Sequence, residues 1–165
     1  MVAKIALRPA LPADAPALAA LFRASVEELG IEDYSQAQVE AWSALADDEA
    51  AFAQKFVGNL TILGLSGGEI AGFASLKGAD VLDMLYVHPQ FARQGVATQL
   101  CAALEKLAAA RKAIKLTAEA SDTAQPFFAA RNYVAQRRNI VFVGEEALGN
   151  TTMTKNLAPV KDQVQ

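Results

Sequence analysis

Apolar positions along the chain repeat at helical spacing in some stretches and at strand spacing in most others. Leu18, Leu21, Phe22, Ser25 and Leu29 fall on one face of a helix that Gly30 ends, with Asp14 as its cap and Pro16 in its first turn. Ser35 followed three residues later by Gln38 has capping-box form and predicts a second helix carrying Val39, Trp42 and Leu45. A short third helix is expected over 48–56, closed by Gly58. Leu100, Ala103, Leu104 and Leu107 give the apolar side of a long helix reaching about residue 112, and a last helix is expected over 123–131. Strands are predicted at 4–8, 60–66, 69–77, 81–87, 113–119, 133–143 and 150–157. Gly67-Gly68 is a hairpin signal, Gly78-Ala79-Asp80 is a turn, and 144–149 reads as the connection of a closing hairpin. Short turns make the early strands antiparallel, whereas strand, helix and strand from 81 to 119 require a right-handed parallel crossover. The fold expected is α/β of the α+β kind: a mixed, mostly antiparallel twisted sheet of about seven strands flanked by helices.

Composition narrows the function classes. A chain of 165 residues, 53% hydrophobic and 20% charged, suits one soluble domain, expected over 1–158 with a polar C-terminal tail at 159–165. The net charge of −3 and basic residues scattered apart from Arg137-Arg138 give no footprint for nucleic acid. No apolar run approaches the roughly 20 residues of a membrane span, and the start alternates like a strand and is interrupted by charge, unlike a signal peptide. The expected compartment is the cytoplasm, with no membrane partner. Cys101 stands alone in the long helix beside Leu100 and Leu104, as a small buried thiol or, alternatively, a nucleophile. No metal is expected, and no internal repeat or low-complexity linker interrupts the chain.

The segment from Asp83 to Leu100 carries the most chemistry. An apolar strand enters a turn at Pro89 and leaves as a helix opened by Gly95, which is the layout of a pyrophosphate cradle. Arg93 adds a cation to the loop. An ordinary strand-to-helix connection has the same outline. Val87-x-Pro89, then Arg93-x-Gly95-Val96-Ala97 and Leu100, resembles the acetyl-CoA signature of the GCN5-related N-acetyltransferases (GNAT), with Ala92 standing where that family places Gln or Arg. Ala120-Ser121-x-x-Ala124-x-Pro126-Phe127-Phe128-x-x-x-Asn132-Tyr133 resembles the segment after the family's fifth strand. Asn132 replaces a glycine there, and Phe128 replaces the tyrosine thought to protonate the departing thiolate. Tyr34-Ser35-x-x-Gln38-x-x-x-Trp42, Asp83-Met84-Leu85-Tyr86-Val87 and Asn150-x-x-Met153 are similar to the YafP-like bacterial subgroup, in which the Phe-Phe pair is normal.

The resemblance implies an acetyl-CoA-dependent N-acetyltransferase that moves an acetyl group to an amine by direct attack in a ternary complex. Acetyl-CoA is the implied cosubstrate, contacted by Leu85, Tyr86 and Val87 at the thioester and pantetheine, by Arg93, Gln94, Gly95, Val96, Ala97 and Thr98 in the loop, and by Phe128. The alternative is a non-catalytic CoA-binding sensor or regulatory module. Another nucleotide-binding α/β protein is distant, since neither Gly-x-Gly-x-x-Gly nor Gly-x-x-x-x-Gly-Lys-[Ser/Thr] occurs.

An ammonium group needs a base before it can attack. Asp83 and Glu119 are carboxylates in apolar strands, expected side by side at the cofactor cleft, either as base or as solvated strand-edge groups. His88 lies at a turn beside Pro89, as a base or as an exposed residue without a role. Tyr86 and Tyr34 are candidates for protonating the thiolate, and Tyr133 fits a core aromatic site. Tyr34, Trp42 and Asn150 are expected at the acceptor, with Trp42 equally at home in a core. A small-molecule amine and a peptide amine both remain open as the partner, as does a homodimer.

Overall fold

The computed structural model describes residues 4–157, so the tail expected over 159–165 lies outside the described residues. The strands are β1 (Ala6–Pro9), β2 (Leu60–Ser66), β3 (Glu69–Lys77), β4 (Val81–Val87), β5 (Lys115–Ser121), β6 (Val134–Val143) and β7 (Glu146–Asn156). The helices are α1 (Ala15–Leu29), α2 (Gln36–Ser43), α3 (Glu49–Gln54), α4 (Val96–Ala110) and α5 (Gln125–Ala130). The strands form one sheet in the order β1-β2-β3-β4-β5-β7-β6. Among them β4 and β5 run parallel, joined through α4; the other pairs are antiparallel. No helix among the described residues is long and apolar enough to cross a membrane.

Local chemistry accounts for most of these elements. Gly67 and Gly68 both take a left-handed φ, of 58° and 86°, in the two-residue turn between β2 and β3, a conformation that glycine reaches without steric cost. Ser35 Oγ accepts from Gln38 N–H and Gln38 Oε1 accepts from Ser35 N–H, closing the expected capping box at the start of α2. Asp48 caps α3 by accepting from Ala51 N–H.

Two features differ from expectation. The Asp14 side chain does not cap α1: it turns back to accept from Leu11 N–H at 2.7 Å and from both terminal nitrogens of Arg8 at 2.8 and 3.0 Å. A bidentate guanidinium outcompetes a helix amide for the same oxygens. The closing hairpin is also tighter than 144–149. Gly144, at φ 59°, makes the turn with Glu145, and pairing resumes at Val143–Glu146, so Gly149 lies inside β7 opposite Ile140.

Each face of the sheet carries a core. Leu82, Leu100, Leu104, Leu116, Ala118 and Met153 pack under α4, and Leu18, Phe22, Val26, Phe52, Phe73 and Met84 pack under α1 to α3. The helix α4 lies so close to the sheet that a Cβ on Gly72 would stand 2.8 Å from the Tyr86 carbonyl oxygen and 3.1 Å from Val96 and Leu100. A glycine in β3 thus brings the first turn of α4 down to the end of β4.

A polar cluster ties α4 to the far side of the sheet. Glu105 pairs with Arg131 at 2.9 Å and with Lys155 of β7 at 3.1 Å, and accepts from the Tyr133 hydroxyl at 2.9 Å. Burial alone would raise the Glu105 pKa, but the Lys155 and Tyr133 hydrogen bonds and the Arg131 charge together hold it below the ordinary 4.5. The stabilisation from this depressed value is complete above about pH 4.5 and is lost as pH falls through the lower folded value. Glu105→Gln should therefore cost about 2 kcal/mol at pH 7 and progressively less below pH 4, read as urea midpoints of the two proteins across that range.

Candidate active site

An irregularity in one strand creates the site. Leu82 pairs with Leu76 and Met84 with Ser75, so Asp83 is an extra residue in β4 with nothing opposite it in β3. Such a bulge bends and twists its strand. On its other side β4 pairs with β5 only at Val81–Thr117 and Leu82–Ala118, and beyond these positions the two strands part. Past the bulge Met84 and Tyr86 join the core under α1, while Leu85 and Val87 pack toward α4.

A cleft of about 600 Å³ opens on this gap, lined by Leu85 to Val87, the loop before α4, Val96 to Thr98, the β5–α5 connection, Phe127 and the end of α1. Arg93 and Gly95 both adopt left-handed backbone, with φ of 62° and 82°. The first hydrogen bond of α4 runs from Gln99 N–H to Gly95 C=O at 3.1 Å, so the amides of Val96, Ala97 and Thr98 stand ahead of it at the positive end of the helix. Among the described residues Arg93 is the only cation on the cleft wall. Thr123 Oγ1, also on that wall, is buried with no hydrogen-bond partner among them. Gln94 lies off the wall, donating instead to the Gln90 carbonyl at 3.2 Å.

A second cavity, of about 180 Å³, meets the cleft at Trp42, Leu85, Tyr86, Ser121 and Ala124. Asp83 and Glu119 both line it, as do Tyr34 and Asn150. Glu119 is fixed across three strands: its Oε2 accepts from Thr152 Oγ1 at 2.7 Å and from Asn139 Nδ2 at 3.1 Å, and Asn139 also reaches Asn150 Oδ1 at 3.0 Å. Oε1 of Glu119 has no protein partner among the described residues. Asp83 is held more loosely, by one 3.4 Å contact from Asn59 Nδ2.

The aromatic side chains wall the junction. Trp42 meets Tyr34 and Tyr86 edge to face, with ring centres 5.4 and 6.4 Å apart, so it serves core and site together. Burial pushes the Tyr86 hydroxyl up to about 12, with the Trp42 indole acting in the opposite direction. Tyr86 therefore stays protonated at neutral pH and is a donor, not a base. Burial also raises the Tyr34 hydroxyl, which accepts from Asp122 N–H at 2.8 Å and donates to the Gly149 carbonyl at 2.7 Å. With both bonds filled, Tyr34 acts as a brace between α2, the β5–α5 connection and β7. Phe128 lines the small cavity and not the cleft, with its ring 5.0 Å from Tyr133; Phe127, the adjacent residue in α5, faces the cleft instead.

Other titratable candidates have structural duties. The His88 Nδ1 accepts from Gln90 N–H at 3.1 Å, capping the turn after β4. Cys101 is fully buried and its thiol is pushed up to about 11 by burial, so it is not a nucleophile at neutral pH. Tyr133 is buried beside it, as expected of a core aromatic. Among the described residues no three His, Cys, Asp or Glu side chains come together in a metal-binding group.

A parted parallel pair with the open amide end of a helix on one side and an acid-lined cavity on the other leaves room for two ligands at one gap. Residues 31–157 match the family model described as an acetyltransferase (GNAT) domain, and the chain belongs to that family. YafP of Escherichia coli (strain K12), described as an uncharacterized N-acetyltransferase, is 32% identical over 124 residues, which cover 75% of this chain and 77% of that protein. A crystal structure from Rhodopseudomonas palustris, described as a GCN5-related N-acetyltransferase (aminotransferase, class-II), superposes with a TM-score of 0.93 at 54% identity over 95% of this chain and 98% of that one. The PaiA N-acetyltransferase of Thermoplasma acidophilum, solved in complex with coenzyme A, shares the fold with a TM-score of 0.74 at 15% identity, over 93% and 99% of the two chains.

Sequence reasoning missed Asn139, Thr152, Thr123 and the cavity walls Val141, Val143 and Leu148. Their signal exists only across strands: Thr152 pairs with Glu119 in register, and Asn139 pairs with Asn150. The Tyr34 brace gives a direct test. Tyr34→Phe leaves the Asp122 amide and the Gly149 carbonyl unpaired and should lower stability by about 2 kcal/mol, measured by urea unfolding.

Proposed function

We propose that this protein transfers an acetyl group from acetyl-CoA to a primary amine, with both substrates bound at once in the gap between β4 and β5. The observation that carries this reading is that the cleft and the acid-lined cavity meet at that gap. The residues present fit the cosubstrate. The left-handed Gly95 leaves the approach to the Val96, Ala97 and Thr98 amides free of a side chain, and the unpaired Thr123 hydroxyl on the cleft wall offers a polar partner to a pantetheine amide. Main-chain amides supply most of such a grip, so Ala92 in place of Gln or Arg removes one side chain and leaves the cradle.

Bound acetyl-CoA would supply a thioester whose acetyl group exchanges its C–S bond for a C–N bond to the amine; the ammonium nitrogen gives up two protons, one to a base before attack and one as the amide forms, and the departing sulfur takes up one. The chain's own residues do the rest. The amides opening α4, together with Arg93, hold the pyrophosphate, and Leu85 to Val87 and Phe127 line the path of the pantetheine. Unpaired main-chain groups of β4 beyond Leu82 provide hydrogen bonds at the thioester carbonyl. Glu119, fixed by Thr152 and Asn139, receives the proton of the incoming ammonium, and Asp83 adds a second negative charge at the same cavity. Tyr86 keeps its proton at neutral pH and so serves the leaving sulfur as a hydrogen-bond donor, a part that Phe128 cannot take.

Calorimetric titration of acetyl-CoA should give one site in the wild type and none in Gly95→Glu, which places an anion and a side chain where the pyrophosphate lies. Retained affinity in a folded variant would overturn the cradle. Thiol release that requires both acetyl-CoA and an amine should accompany binding in the wild type; binding without release for any amine would identify a sensor instead.

A further inference from the structure

The charged side chains on the wall of the small cavity are both acidic. Of the described residues that line it, Asp83 and Glu119 are the only charged ones, and no Lys, Arg or His is among them. The guanidinium of Arg138 on β6 is paired with Asp122, its Nη2 2.9 Å from Asp122 Oδ2, and lies outside the wall. The rest of the wall is largely apolar, with Leu45 from the end of α2, Val141 and Val143 from β6, and Leu148 from β7. The volume of about 180 Å³ suits a body of five or six carbons, since a cavity of roughly 150 Å³ accommodates benzene.

These observations bear on the acceptor, and the argument rests on the acetyl-transfer reading above. We infer that the acceptor is a compact primary amine with an apolar body and no anionic group of its own. Its ammonium meets Oε1 of Glu119, the oxygen left without a protein partner among the described residues, and its hydrocarbon part lies against Val141, Val143 and Leu148. A carboxylate or phosphate on the same molecule would face two carboxylates with no cation on the wall, the nearby Arg138 being paired with Asp122, and that repulsion disfavours amino acids. Thr152 and Asn139 are positioning residues: they hold Glu119 by Oε2 and leave Oε1 for the ammonium.

Matched acceptors test this on the full-length protein. Thiol release is measured with 3-methylbutylamine and with leucine, which differ by one carboxylate, and with leucinamide, in which that charge is removed while the atoms are largely kept. 3-Methylbutylamine should exceed leucine at least tenfold in kcat/KM, with leucinamide well above leucine. Thr152→Val should lower kcat/KM for 3-methylbutylamine about tenfold with acetyl-CoA affinity unchanged, and Thr152→Ser should restore it, because serine keeps the hydroxyl that a merely space-filling role does not need. If acetyl-CoA binds and leucine is acetylated as well as 3-methylbutylamine, the inference fails while the transferase reading stands. It fails in the same way if acetyl-CoA binds and neither carboxylate-free amine is used. If acetyl-CoA does not bind the folded protein, the transferase reading itself fails.

Discussion

The early end of the pairing between β4 and β5 is the constraint on which the rest of the molecule depends. A parallel pair that continued to Val87 would satisfy its own main chain and leave no space between the strands. The extra residue at Asp83 bends β4 away after Leu82, and the sheet resumes on the far side only because β5 is held by β7 along its whole length, from Lys115–Asn156 to Ser121–Asn150. One bulge thus exposes backbone at the centre of a sheet, where polar groups are normally consumed by neighbouring strands. The packing of α4 on Gly72 then sets the open end of a helix beside the exposed strand.

Two opposite charge problems are handled by different devices a short distance apart. On the cleft side, in the acetyl-transfer reading, a polyanion would be met mainly by oriented amides whose positions the fold dictates, with Arg93 as the single cation on a wall of described residues that also carries Glu32, Asp33 and Asp122. On the cavity side the means is side-chain carboxylates, one locked into a three-strand hydrogen-bond ladder and one held by a single long contact. The rings of Trp42 and Tyr86 line both spaces at their junction. Below α4, Glu105 with its two cations plays no part in this chemistry and instead fixes the helix against β7 and the end of α5.

What the sequence made legible is local. The Gly67-Gly68 turn, the Ser35 capping box and the Pro89-to-Gly95 loop each depend on residues within a few positions of one another, and each forms as expected. The misread positions are those where a distant partner wins. Asp14 has the composition of a helix cap, but Arg8 claims it; Gly149 has the composition of a turn, but β6 pairs through it. The bulge at Asp83 leaves a faint trace, a charged residue interrupting an apolar run, which does not by itself point to a change of register. Asn139 and Thr152 left none, since their meaning is set by register between strands far apart in the chain.

The helical cover of the small cavity is fastened in an unusual way. Tyr34 and Gln38, at the start of α2, donate to the carbonyl oxygens of Gly149 and Ala147 at 2.7 and 2.8 Å. Both acceptors belong to the main chain, so the fastening uses no side chain of β7, although a Cβ at Gly149 would stand 2.8 Å from the central carbon of the Arg138 guanidinium. The hairpin can therefore accumulate substitutions that reshape the cavity while its roof stays attached.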